Sequence, residues 1–108
     1  MQTVATGEIG KRPLIQLWDS ETSTLKGTAK SSKIRNGVAA LGFSPKGDFL
    51  VAVGINTNHN VEIIRTKNMI PVANTKGGPD MIIDICWTSD KEFVTVGPKN
   101  YQIWTYNK

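Results

Sequence analysis

Apolar and polar residues alternate along this chain in short runs, and none of them keeps the 3.6-residue period of an amphipathic helix. The clearest stretch lies between Gly37 and Gly77, where four strands follow one another. Val38 to Phe43 is the first, and the tetrapeptide Ser44-Pro45-Lys46-Gly47 after it is a turn, because proline presets φ and glycine tolerates the closing position. Asp48 to Gly54 is the second strand, dense in β-branched and aromatic side chains. Val61 to Ile64 follows an Asn-rich loop as the third, and Pro71 to Thr75 is a shorter fourth.

The pattern then repeats. Val38-AALGF lines up with Ile82-IDICW, Phe49-LVAVG with Glu92-FVTVG, and Val61-EII with Tyr101-QIW. Upstream, Thr3-VATG resembles the second strand and Ile15-QLW-Asp19 the third, while Thr22 to Gly27 stands where the fourth belongs. Equivalent residues are 44 apart from Val38 to Ile82 and 43 apart from Gly54 to Gly97, within the period of about 40–45 residues of four-stranded WD40 blades. The expected fold is therefore all-β, about two and a half antiparallel WD40 β-propeller blades. Residues 1–28 supply strands b to d of one blade, 37–77 a whole blade, and 80–108 strands a to c of another. A ring needs at least about four blades to remove its sheet edges. The chain is therefore expected to be a fragment of a larger propeller, or to complete its ring by self-association.

Ile15-Gln16-Leu17-Trp18-Asp19 is the ending for which WD repeats are named. Together with ATGEIGKRPLIQLWDS, GVAALGFSPKGDFLVAVG, the Asn58-His59-Asn60 loop and FVTVGPKNYQIWT, it resembles the echinoderm microtubule-associated protein-like (EMAP-like) family from about Val4 to Thr105. The Gly-His pair that many WD repeats carry before strand a is replaced around Arg35-Asn36-Gly37 and Gly77-Gly78-Pro79. The turn Asp becomes Asn58 in the central blade, and only the first blade keeps Trp-Asp. The resemblance implies a non-catalytic scaffold that binds tubulin or microtubules, located in the cytoplasm on the cytoskeleton, the cilium or axoneme included.

Composition sets few further limits. The chain has 108 residues, 39% hydrophobic and 20% charged, with a formal net charge of +4; this permits an acidic partner without demanding one. No apolar run approaches the roughly 20 residues of a membrane helix, and the N-terminus lacks the basic and apolar regions of a signal peptide. A single cysteine, Cys86, excludes an internal disulfide and fits a reducing compartment.

Candidate chemistry is sparse. His59 and Cys86 are the only residues of their kinds, so no His/Cys metal cluster is expected. His59 is expected to hydrogen-bond the b–c turn, and Cys86, within an apolar run, to be a small buried hydrophobe. Asp84, on an innermost strand, either lines the central channel or pairs with a buried donor. Gly77-Gly78-Pro79 is a d–a connection, because no helix follows to receive a phosphate. Trp18, Trp87 and Trp104 recur at blade positions as core. No enzyme and no cofactor is expected.

Blade topology sorts the charges. The d–a and b–c loops emerge on one face and carry Lys11, Arg12, Lys30, Lys33, Arg35, Lys76 and Lys99 against Glu8 and Asp80. The other face carries Lys46, Arg65, Lys67 and Lys91, balanced by Asp19, Glu21, Asp48 and Asp90. The positive face reads either as a solvated surface or as a docking face for an acidic partner, which the family resemblance makes tubulin. A general WD40 protein-interaction module is the alternative function. Nucleic acid is a weaker third partner, since few aromatics interleave with the basic residues to stack on bases.

Overall fold

In the computed structural model the described residues are 3–7, 9, 13–30, 34, 37–55, 59–78, 81–99 and 101–106. They form ten strands and, among these residues, no helix. The strands are β1 (Thr3–Gly7), β2 (Leu14–Asp19), β3 (Thr24–Lys30), β4 (Val38–Phe43), β5 (Phe49–Gly54), β6 (Asn60–Arg65), β7 (Ile70–Lys76), β8 (Asp84–Trp87), β9 (Glu92–Val96) and β10 (Tyr101–Thr105). They make three antiparallel sheets in chain order: β1-β2-β3, β4-β5-β6-β7, and β8-β9-β10. β4 of the central sheet lies against β8 of the third sheet and against β1 of the first.

Hairpins set the register within each sheet. Gly47 N donates to Ser44 O at 2.8 Å, which closes the Ser-Pro-Lys-Gly turn, and Ser44 Oγ accepts Phe49 N at 3.0 Å to fix the start of β5. The fourth strand of the first repeat differs from the sequence expectation. It runs from Thr24 to Lys30 instead of Thr22 to Gly27, because Asp19 Oδ1 accepts the Glu21 and Thr22 amides and holds residues 20–23 in the turn. Such an Asx-type bond offers the backbone an alternative to the ladder.

The sheets stack face to face through β5, all six residues of which are buried. Neighbouring side chains on a strand point to opposite faces, so β5 serves two cores. Leu50 and Ala52 join Ile64 and Met69 against Ile15, Leu17 and Ala29 of the first sheet. Phe49, Val51 and Val53 join Val61 and Ile63 against Ile85 and Phe93 of the third. A strand packed on both faces reads as a continuous apolar run, and Phe-Leu-Val-Ala-Val is that run.

The third sheet corrects one expectation. Cys86 is exposed and not buried, because β8 turns Ile85 and Trp87 towards the second sheet. Cys86 points to the opposite side, which no described sheet covers. The three tryptophans are half-buried, Trp87 and Trp104 packing against the second core as expected, and each uses its indole N–H. Trp87 Nε1 donates to Gly42 O across the sheets (3.1 Å), Trp18 Nε1 to Thr6 Oγ1 (3.0 Å), and Trp104 Nε1 to Thr95 Oγ1 (2.9 Å).

Candidate interaction surface

The links β1–β2, β3–β4, β5–β6, β7–β8 and β9–β10 share one rim, and short contacts bind them together. Ile9 bridges Gly37, and Ile55 N donates to Gly37 O at 3.0 Å. Gly77 N donates to His59 O at 3.0 Å, while His59 Nδ1 lies 3.0 Å from Gly78 O, which accepts its proton. The imidazole thus ties the β5–β6 link to the β7–β8 link. The sequence reading assigned it to the β5–β6 turn itself, whose residues 56–58 lie outside the described residues.

Two glycines show how closely these links approach. A Cβ on Gly77 would lie 2.3 Å from His59 O, and one on Gly97 would lie 1.9 Å from Met81 O. Any side chain at either position would force the two links apart. The approach leaves a groove of about 460 Å³ among Val38, Ile55, His59, Met81, Ile82 and Ile83. Its lip is apolar and exposed: Ile55 is 44%, Met81 60% and Ile83 57% accessible.

Of the basic residues expected on this face, Lys76 and Lys99 are exposed on the rim. Lys30 ends β3 opposite Leu14, on the same rim. Lys11, Arg12, Lys33 and Arg35 lie outside the described residues, as do Glu8 and Asp80. Asp84 is exposed, and its Oδ1 accepts the amide of the neighbouring Ile85 at 2.8 Å.

The opposite rim holds a groove of about 600 Å³ between the first and second sheets, bordered by Lys26, Lys46 and Lys67. Two of these ammonium groups are engaged: Lys26 Nζ donates to Thr3 Oγ1 at 3.0 Å, and Lys46 pairs with Asp90 at 3.4 Å. Exposed pairs of this kind contribute at most about 1 kcal/mol. Sequence reasoning missed both grooves, because each forms between links from different repeats. Among the described residues no group of three or more His, Cys, Asp and Glu could hold a metal ion.

Solved structures with the same arrangement identify the architecture. The C-terminal WD40 domain of Sif2 superposes with a TM-score of 0.74 at 15% identity over 95% of this chain. A chain of the mitotic checkpoint complex gives 0.76 at 20% identity over 97%. The β-propeller domain of Myceliophteria thermophila Cps50 (Swd1) gives 0.75 at 11% identity over 96%. The fold is that of WD40 propeller blades. This chain covers 28%, 32% and 31% of those three chains, respectively.

A curated relative, the ciliary WD repeat-containing protein ctxp80 of Euplotoides octocarinatus, is 30% identical over 103 residues. The alignment takes in 93% of this chain and 14% of that protein. No protein-family model matches the chain. The WD40 blades here retain part of the polar pairing inside the repeat. Strand pairing makes Thr6, Ala52 and Thr95 equivalent, opposite Gln16, Glu62 and Gln102. The first and third sheets hold a threonine–tryptophan bond at this position, and the central sheet replaces it with the apolar pair Ala52 and Ile64.

Proposed function

We propose that this chain is part of a non-catalytic WD40 scaffold that associates with microtubules or another ciliary or cytoskeletal assembly. The observation that carries this reading is the likeness to the ciliary WD-repeat protein across 93% of the chain. The docking face is the rim of the β1–β2, β3–β4, β5–β6, β7–β8 and β9–β10 links, where the sequence places Lys11, Arg12, Lys30, Lys33, Arg35, Lys76 and Lys99. Residues 1–28, 37–77 and 80–108 act as successive blades, and the partner is an acidic protein surface such as that of tubulin. Attraction of this kind is screened by salt and governs encounter more than final affinity.

The test is co-pelleting with polymerised microtubules at low and moderate salt, on a sample shown by light scattering to be monodisperse. Pelleting that weakens with salt, and weakens further in the Lys30→Glu, Lys33→Glu, Arg35→Glu triple variant, is the expected result. A folded sample that stays in the supernatant at low salt removes microtubules as the partner. The second reading, a general protein-interaction module in another complex, is favoured by the exposed apolar lip at Ile55, Met81 and Ile83, which a purely electrostatic contact does not use.

A further inference from the structure

We infer that the groove between the β5–β6 and β7–β8 links is a docking site for a short acidic segment carrying an apolar anchor. The inference rests on the reading of this rim as the docking face and names the chemistry of what docks there. Three exposed apolar side chains, Ile55, Met81 and Ile83, surround a cleft floored by the buried Ile82. Single exposed apolar residues are ordinary on a protein surface, but a concave cluster of them marks an interaction site.

Charge identifies the occupant. Lys76 adjoins Gly77, which packs on His59 and Ile82, and Lys99 lies two residues beyond Gly97, which packs on Met81. Both exposed lysines therefore lie next to the β7–β8 link, Lys76 at its start and Lys99 in the β9–β10 link that packs on Met81, outside the residues that line the cleft. Asp84 follows Ile83 and is the opposing charge among the described residues on this side. Its Oδ1 accepts the Ile85 amide while the carboxylate keeps its charge, so among the described residues two lysines stand against one carboxylate on this side. A segment with one or two apolar residues between carboxylates meets both features. The apolar side chains enter the cleft, which desolvates the Ile55, Met81 and Ile83 surface, and the carboxylates reach the lysines. Burial of an aliphatic or aromatic anchor in a preformed cleft supplies most of such affinity, with the rim charges setting on-rate and salt response.

The probe is a fluorescein-labelled octapeptide in which a leucine–phenylalanine pair is flanked by three glutamates on each side. Its control replaces the pair with two serines and keeps the charge. Fluorescence polarisation is expected to show the first peptide binding roughly tenfold more tightly than the control, a difference of about 1.4 kcal/mol. The surface variant Met81→Ser/Ile55→Ser is expected to erase that difference without changing thermal unfolding. Asp84→Asn is expected to tighten binding, and Lys76→Glu/Lys99→Glu to weaken it at low salt. Equal binding of the two peptides overturns the inference, because charge alone then accounts for the contact. Absence of binding by either peptide also overturns it. Microtubule co-pelleting reads the scaffold assignment separately: a chain that binds the peptide but does not pellet keeps the groove and loses the microtubule partner.

Discussion

Trp104 and Trp18 make the same bond in different sheets, each indole N–H donating to a threonine hydroxyl on the adjacent strand. Thr95 is only 2% exposed, so removing its donor leaves a buried hydroxyl short of a partner, which costs more than the bond itself contributes. Trp104→Phe is therefore expected to lower stability by about 1–3 kcal/mol in urea unfolding. Adding Thr95→Val should recover part of the loss, and a double-mutant cycle measures the coupling. The tryptophans were visible in the sequence as recurring blade residues, whereas their partners were not. Aligning Gly7 with Gly54 and Gly97 by eye places Thr6 one position away from Thr95. Strand pairing shows instead that Gly7 is equivalent to Val53 and Val96, opposite Ile15, Val61 and Tyr101. Cys86 was misread for a related reason: an apolar run tells which residues avoid water on average, not which of two faces has a neighbour.

At the scale of the element, β5 decides whether the sheets stay together, since each of its faces belongs to a different core. Leu50→Ala removes a fully buried side chain and should cost about 2–5 kcal/mol. Ile70→Ala, on a strand residue 53% exposed, should stay within about 0.5 kcal/mol. Equal effects in chemical denaturation would refute the central place given to β5. The strands of the central sheet were legible because their apolar runs are bounded by strong turn residues. The β3 boundary was not, since Ser20 to Ser23 carry no glycine or proline and the turn depends on the Asp19 carboxylate. The grooves were hidden more completely. They depend on distances between links about 20 to 40 residues apart in sequence, a separation across which local pattern says nothing.

At the scale of the molecule, the stack of described strands presents two end faces that no other described strand covers. Val4 and Leu25 flank Trp18 on the first sheet, and Val96, Tyr101 and Ile103 are exposed on the third, from 39% to 69%. Faces that differ in this way associate head to tail, a heterologous contact that closes into a ring only when the rotation allows. Sedimentation of the chain should accordingly show concentration-dependent association, and Ile103→Lys should suppress it. A wild-type chain that stays monomeric at high concentration would speak against such pairing.

The two-sided burial of β5 has a further consequence before folding is complete. Phe-Leu-Val-Ala-Val-Gly is a six-residue stretch without charge or proline, the composition that stacks into cross-β fibrils when left accessible. The native stack hides it from both sides, so the contacts that hold the sheets together also protect the chain from amyloid-like assembly. The charged Lys46 and Asp48 just ahead of it are placed as gatekeepers during the interval when β5 has not yet found its two neighbours.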